Sequence, residues 1–138
     1  MIAVDTNVVV RVITRDDPEQ AARAAEQMRA ADLWLGKTML LETEWVLRHA
    51  YGYDAAAVGK ALRILVGLDN AHVEDAGAVI RALSWHAAGM DFADALHLAC
   101  SADAATFVSF DERLVTMARR LESTPRVELV AGRPPPAG

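Results

Sequence analysis

Cysteine is nearly absent from this 138-residue chain, which contains only Cys100. A single cysteine excludes an intramolecular disulfide and a thiolate metal cluster. The chain also lacks an apolar run of the roughly 18 to 20 residues that would span a bilayer. Its N-terminus has no basic region followed by an apolar segment and a small-residue cleavage site. We therefore expect a cytoplasmic protein that has no membrane segment.

Several well-known functional motifs are missing as well. The sequence has neither a Gly-x-x-x-x-Gly-Lys-[Ser/Thr] loop nor a Gly-x-Gly-x-x-Gly turn, so binding of nucleoside triphosphates or dinucleotides is disfavoured. It has no Gly-x-Ser-x-Gly nucleophile elbow. The four histidines show no short His-x-x-x-His spacing of the kind that favours zinc. Any catalytic or binding activity must therefore rely on polar side chains outside these motifs.

Basic residues are in the minority, with 14 Lys and Arg against 19 Asp and Glu, and the net charge is -5. This balance argues against a protein that coats nucleic acid in general. It is compatible with a local basic rim around an acidic centre. Carboxylates that gather around a cation lower the formal charge without repelling an anionic substrate once the cation is bound.

Short apolar runs alternate with helical patterns along the chain. Candidate strands lie at residues 2–4, 33–35, 71–73, 106–110 and 127–130, with helical segments between them. The pattern predicts a three-layer α/β/α fold with a mainly parallel central sheet of four to five short strands. Ligands of such folds lie beyond the carboxyl ends of the strands. We expect one domain over residues 1–131 and a loose Pro-rich tail, GRPPPAG, over residues 132–138.

Two aspartates stand where a candidate strand passes into a helix. Asp5 follows the first strand and Asp111 follows the strand at 106–110. Carboxyl ends of parallel strands meet at one edge of a sheet, so the two side chains can share a site there. Helix capping is the alternative, because Asp at a helix start accepts hydrogen bonds from free N–H groups.

The segment DFADALHLAC predicts a mostly buried helix with two aspartates beside its apolar arc. A buried carboxylate without a partner costs several kcal/mol, and no Lys or Arg lies in this segment. Asp91 can serve equally well as the N-cap or in a site. Asp94 lies one turn further in and favours a functional role.

The helix containing MLLETEWVLR carries two glutamates. We expect this helix to be capped by Thr38, to run from Met39 to about Tyr51, and to end at Gly52. A helical wheel places Glu42 on the side of Met39, Trp45, Val46 and His49, and therefore predicts that it points inward, where protonation or pairing with an Arg could also accommodate it. The same wheel turns Glu44 outward, into an i to i+4 surface ion pair with Arg48.

Four inward carboxylates at residues 5, 42, 94 and 111 would repel one another unless they took up protons or held a hard cation. Oxygen ligands alone indicate Mg²⁺ or Mn²⁺. A partly open site of this kind favours hydrolysis of a phosphoester. The same carboxylates could serve an RNA nuclease, a DNA nuclease or a small phosphatase, and a binding domain that keeps the fold without chemistry is a further alternative.

The segments VDTNVV, LLETEWVLR, DFADALHLA and VSFDERL, in this order and at these separations, resemble the PIN-domain ribonucleases, and among them the VapC toxins of toxin-antitoxin pairs. The resemblance covers residues 2 to about 130. It implies that Asp5, Glu42, Asp94 and Asp111 form the acidic quartet. It also implies that Asp91 assists the metal, and that the accessory polar positions are Thr6, Asn7 and Ser109.

The resemblance further implies Mg²⁺ or Mn²⁺ as cofactor, RNA as substrate, and products with a 3'-hydroxyl and a 5'-phosphate. It implies a homodimer and a small VapB-type antitoxin whose C-terminal segment reaches the active-site groove. We expect Asn7 or Thr6 to hold Asp5 by hydrogen bonds, with capping as the alternative role. Arginines that could contact RNA are Arg11, Arg15, Arg48, Arg113 and Arg119.

Overall fold

The computed structural model describes residues 1–130, so the tail predicted at 132–138 lies outside the described residues. In this part of the chain, seven helices and five short strands follow one another. The strands are β1 (Ile2–Ala3), β2 (Leu33–Leu35), β3 (Ala71–Val73), β4 (Thr106–Ser109) and β5 (Arg126–Leu129). The helices are α1 (Thr6–Thr14), α2 (Pro18–Arg29), α3 (Lys37–His49), α4 (Ala55–Val66), α5 (Ala76–Ala87), α6 (Phe92–Ala99) and α7 (Glu112–Leu121).

Local capping chemistry sets several of the helix starts. Asp17 caps α2 by accepting a hydrogen bond from the Gln20 N–H, and Pro18 occupies the first helical position, where its missing N–H costs nothing. Asp54 caps α4 in the same way through the Ala57 N–H. These signals are readable in the sequence, because each capping side chain lies within three residues of the N–H group it binds.

The predicted start and end of α3 are wrong by about two residues. Gly36 rather than Thr38 is the N-cap, and the free N–H of Lys37 donates to the carboxylate of Glu74, 37 residues away, at 2.9 Å. The helix ends at His49, with Ala50 as C-cap, before Gly52 is reached. A cap supplied by a distant side chain leaves no local trace in the sequence.

All strand pairs are parallel, as the alternation of strands and helices predicts. One sheet has the order β1-β2-β3, and β4 pairs with β5 in a second sheet. The single central sheet expected from the sequence is thus divided in two, because the two-residue strand β1 shares its ladder with β2 alone. The α/β class and the PIN-like architecture are confirmed.

The core lies between the first sheet and the helices that cover it. Leu33 and Leu35 of β2 are fully buried, whereas Trp34 between them is 41% exposed. Buried leucines and alanines of α3, α4, α5 and α6 complete the core, and α5 packs closely against α6. Burial of these side chains supplies most of the stabilisation and fixes the starts of α1, α6 and α7, which carry the aspartates. No helix within residues 1–130 is long and apolar enough to cross a membrane.

Candidate metal and substrate site

Two neighbouring depressions contain the carboxylates singled out in the sequence. The first, here called the Asp5 pocket, has a volume of about 260 Å³ and is lined by Asp5, Thr6, Asn7, Val10, Arg11, Glu42, Val46 and Tyr51. The second, here called the Asp94 cavity, has a volume of about 430 Å³. It is lined by Glu44, Arg48, Ala55, Val58, His86, Gly89, Met90, Asp91, Phe92, Asp94, Asp111, Arg113, Leu114 and Met117.

Asp5 both caps a helix and lines the first of these depressions. It follows β1 and is the N-cap of α1, and its Oδ1 accepts a hydrogen bond from the Thr6 N–H at 2.8 Å. The expectation that Thr6 or Asn7 takes over the capping role is therefore wrong. The backbone of Thr6 does hold the Asp5 carboxylate. The side chain of Asn7 lines the pocket beside it.

The predicted orientations of the two glutamates of α3 are wrong, and the structure reverses them. Glu42 is exposed and opens into the Asp5 pocket. Glu44 is only 4% exposed and faces the Asp94 cavity. Its carboxylate accepts from Arg48 Nε at 3.1 Å and from the terminal guanidinium nitrogen at 3.4 Å, so the i to i+4 pair exists but its acid is buried.

The orientation of the two glutamates was predicted wrongly because Trp45 was taken as a marker of the buried side of α3. Trp45 is 56% exposed and stacks beside His49, with ring centroids 4.6 Å apart. The buried stripe is instead Met39, Leu40, Thr43, Glu44 and Leu47. Leu40 and Leu47, seven residues apart with Thr43 between them, were the signal in the sequence that could have identified this face.

Asp94 is surrounded by the other aspartates of the second depression. Burial raises its pKa first, the charges of Asp91 and Asp111 raise it further, and His97 opposes them. These neighbours show that Asp91, Asp94 and Asp111 share one electrostatic environment. The repulsion that Asp94 experiences is relieved either when the carboxylate takes up a proton or when a cation binds beside it.

Asp91 and Asp111 are each helix caps as well as members of this group. Asp91 Oδ2 accepts from the Asp94 N–H at 3.1 Å at the start of α6. Asp111 Oδ1 accepts from the Arg113 and Leu114 N–H groups at 2.9 and 3.2 Å at the start of α7. The hydroxyl of Ser109 accepts from the Asp111 N–H at 3.0 Å and so holds the backbone of that residue. Asp91 and Asp111 can therefore cap a helix and line the cavity at the same time.

The five arginines predicted as RNA contacts lie in different surroundings. Arg48 and Arg113 line the Asp94 cavity, and Arg11 lines the Asp5 pocket. Arg15, which ends α1 in a left-handed conformation, and Arg119, in the last turn of α7, are exposed and line neither depression. The structure thus brings three of the five to the carboxylates.

Arg11 is already engaged by its own neighbours. Its guanidinium donates to Asp16 at 2.8 Å, to Gln20 at 2.9 Å and to the Tyr51 hydroxyl at 3.1 Å. Tyr51 in turn donates to Asp16 at 2.7 Å, and this hydrogen bond is the main reason that the pKa of Asp16 is lowered. Arg11 and Tyr51 of this cluster line the Asp5 pocket together with Glu42.

The quartet is divided between the two depressions, with Asp5 and Glu42 in one and Asp94 and Asp111 in the other. Within residues 1–130, no three Asp, Glu, His or Cys side chains form a group that could hold a metal ion as they stand. The donor chemistry nevertheless fits a hard divalent cation, because every candidate ligand is a carboxylate and Asp94 is repelled by its two neighbours. The helices that carry the two halves are in contact, α1 with α3 and α3 with α6.

His86 is a further residue of the Asp94 cavity that the sequence analysis did not select. It is 8% exposed, and its ring lies edge-on against Phe92 with centroids 5.7 Å apart. Its Nδ1 is buried and has no hydrogen-bond partner among residues 1–130. Burial lowers its pKa, Glu44 and Asp91 oppose this shift, and Arg63 and Arg48 add to it. No sequence motif marks this histidine, because its environment is built by α3, α4 and α6.

The lowered pKa of His86 predicts a pH-dependent stability. The folded protein binds a proton on this ring less readily than the unfolded chain does, so stability is fully present above the ordinary pKa of about 6.5 and is lost as the pH falls through the lowered value. Replacing His86 by Gln should flatten the decrease in unfolding free energy between pH 7 and pH 5, measured by urea unfolding. The exposed His72→Gln variant is the matched control. An unchanged slope for His86→Gln would contradict the prediction.

The chain is an α/β domain of parallel strands with aspartates just after β1 and β4 and in the first turn of α6, which defines a class of proteins with carboxylates at the carboxyl ends of the strands. The PIN domain family model matches residues 2–120, and the chain belongs to this family. PIN domains are generally metal-dependent nucleases. No curated protein matches the chain at a significant level. The resemblance that four short segments indicated is thus confirmed at the level of the family.

Proposed function

We propose that this protein is a metal-dependent endoribonuclease and the toxin component of a VapBC-type toxin-antitoxin system. The observation that supports this most strongly is the environment of Asp94. A half-buried carboxylate repelled by Asp91 and Asp111 is unfavourable for the protein alone, and it becomes favourable when a cation shares the site. We therefore infer that this arrangement of carboxylates serves cation binding and catalysis rather than stability.

The residues that would hold Mg²⁺ or Mn²⁺ are Asp5, Glu42, Asp94 and Asp111, with Asp91 assisting. A divalent ion bound there would lower the pKa of a water molecule and neutralise charge that develops on a phosphate. The chain itself contributes positioning. Hydrogen bonds from the Thr6 N–H and from the Arg113 N–H hold two of the carboxylates, and Ser109 holds the backbone at Asp111.

The arginines of the Asp94 cavity support a polyanionic substrate. Arg113 lies two residues after Asp111 in the first turn of α7, and the Arg48 side chain is 42% exposed while it pairs with Glu44. The two guanidinium groups can bind phosphates of a substrate beside the carboxylates, so the acidic net charge of the chain does not prevent RNA binding. A homodimer, a VapB-type antitoxin and a cytoplasmic location belong to the same proposal.

Metal titration joined to an RNA cleavage assay tests this function. We expect Mg²⁺ or Mn²⁺ to bind at or below millimolar concentration in isothermal titration calorimetry, and we expect an end-labelled single-stranded RNA to be cleaved only when the ion is present. Excess EDTA should stop cleavage, and added Mn²⁺ should restore it. Absence of both ion binding and cleavage would contradict the proposal.

An inactive PIN-like binding domain is the second candidate, favoured by the absence from residues 1–130 of a ready group of three metal ligands. Such a domain would bind RNA with the same affinity whether or not Mn²⁺ is present. A panel of single-stranded RNA, single-stranded DNA and a phosphomonoester, assayed with the same ion, separates this candidate from nucleases of other specificity and from a phosphatase.

A further inference from the structure

The Asp94 cavity is lined by more residues than metal binding requires, and the part of its lining other than the three aspartates is here called the chamber. The whole cavity has a volume of about 430 Å³, within the range of pockets that bind small organic ligands. The chamber includes the charged side chains of Glu44, Arg48 and Arg113. It also includes apolar side chains from α4, α6, α7 and the turn before α6, namely Val58, Met90, Phe92, Leu114 and Met117.

Glu44 places a buried charge in the same wall. Its carboxylate is 4% exposed and is neutralised on one side by Arg48. Two carboxylate oxygens offer about four acceptor positions, and hydrogen bonds from Arg48 occupy two of them. The remaining acceptor capacity has no protein donor among the described hydrogen bonds, so this carboxylate can still accept from a ligand in the cavity.

His86 adds a second polar group whose hydrogen bonding is incomplete. Its Nδ1 has no partner within the described residues, although nine-tenths of the side chain is buried. Unpartnered buried polar atoms are few in native proteins. The chamber therefore combines apolar walls with a carboxylate acceptor and an imidazole, next to the carboxylates that would handle a phosphate.

A nucleobase matches this combination better than other small groups do. Its two faces are flat and apolar, its edge carries donors and acceptors, and it is covalently tied to the phosphate that the aspartates would address. A carboxylate only accepts hydrogen bonds, so it favours bases that present an exocyclic amino group, as in adenine, cytosine and guanine. Uracil presents none.

We propose that the Asp94 cavity receives one base of the RNA substrate, extruded beside the cleaved bond, and that Glu44 selects bases with an exocyclic amino group. The inference rests on the proposed nuclease function and adds a specificity to it. Arg48 holds the Glu44 carboxylate in place through two hydrogen bonds, which makes it a positioning residue.

Changing the substrate tests the selection without disturbing the protein. Two single-stranded oligoribonucleotides would differ only in guanosine or inosine at the residues flanking the cleaved bond, and a second pair would carry adenosine or purine riboside there. Within each pair, every replaced base differs by one exocyclic amino group. We expect kcat/KM to fall about tenfold when the amino group is absent, since a hydrogen bond to a charged group is lost.

Two variants tie the effect to the cavity. In Glu44→Gln the side-chain amide can donate as well as accept, so the preference for the amino-bearing base should fall to near unity. Ala55→Phe, at the exposed rim of the cavity, should remove the preference by occupying the space while leaving the Glu44–Arg48 pair in place. Glu26→Gln on the outer face of α2 is the matched control and should keep the parental preference. All assays are run well below the melting temperature of each variant.

The outcomes separate this inference from the proposed function. Equal cleavage of both members of each pair by the parent protein would overturn the base selection and leave the nuclease function intact. A preference that Glu44→Gln and Ala55→Phe both retain would also overturn it. If the parent cleaves no RNA, the proposed nuclease function is wrong. In that case isothermal titration calorimetry with guanosine and inosine 5'-monophosphates tests whether the cavity selects the amino-bearing base. Tighter binding of the guanosine compound supports the cavity assignment, and equal or absent binding overturns it.

Discussion

Asp94→Asn is expected to reduce RNA cleavage by about 10²- to 10³-fold, the effect of removing one group that stabilises charge in the transition state. The same change should leave the protein as stable as the parent or more stable in metal-free buffer. The pKa of Asp94 is raised in the folded state by burial and by Asp91 and Asp111. Its ionised form therefore opposes folding above that pKa, and a neutral amide of the same shape removes the opposition.

The pH dependence makes this expectation specific. The stability difference between Asp94→Asn and the parent should be largest at pH 7 to 8 and should vanish as the pH falls and the parent's carboxyl becomes protonated. Differential scanning fluorimetry in EDTA measures the melting temperatures, and a gel assay with Mn²⁺ measures cleavage. Asp103→Asn, in the exposed turn after α6, carries the same chemical change outside the site and should leave both unaltered. Cleavage at the parental rate by Asp94→Asn would remove Asp94 from the site.

Features controlled by nearby residues were predictable from the sequence. The Asp17–Pro18 pair and Asp54 mark helix starts because the capping side chain and the N–H groups it binds are within three residues of each other. The parallel pairing of the strands follows from their alternation with helices. Local patterns also predicted that Asp5 and Asp111 follow a strand and that Asp94 lies in the first turn of a helix.

The face that α3 buries was not predictable from an incomplete wheel. Trp45, the largest apolar side chain of the helix, is exposed beside His49, while a glutamate lies on the buried stripe with Leu40 and Leu47. Glu44 can be buried because Arg48, one turn later, neutralises it. The spacing of Leu40 and Leu47 indicates the buried face, but the sequence does not show how closely α4, α5 and α6 enclose the pair.

The division of the quartet between two depressions was equally hidden. Each carboxylate has a local reason for its place, but the depression it lines depends on how α1 and α6 pack against α3. Helix packing depends on many side chains of the interface together. Sequence spacing can place acids at the same edge of a fold, and it cannot state which of them share a depression.

The reversed orientations of Glu42 and Glu44 give the second large effect. Glu42→Gln should reduce RNA cleavage by about 10²- to 10³-fold, because an exposed carboxylate in the Asp5 pocket is available to a cation. Its melting temperature should stay at the parental value, since an exposed Glu with no ion pair contributes little to folding. Glu44→Gln should instead lower the unfolding free energy by about 1–3 kcal/mol, because the partly exposed Arg48 loses the charge it donates to and the buried side chain at position 44 is left incompletely hydrogen-bonded.

The two variants act as controls for each other, since both change Glu to Gln on one helix, two residues apart. Urea unfolding and cleavage of one RNA measured on both should show opposite profiles, with activity lost at Glu42 and stability lost at Glu44. Any fall in the activity of Glu44→Gln should not exceed the roughly tenfold effect of one hydrogen bond to a substrate base. If Glu44→Gln loses cleavage completely while Glu42→Gln keeps it, the metal ligand on α3 is Glu44, and the site then lies wholly within the Asp94 cavity. That result would leave Asp5 as a helix cap alone.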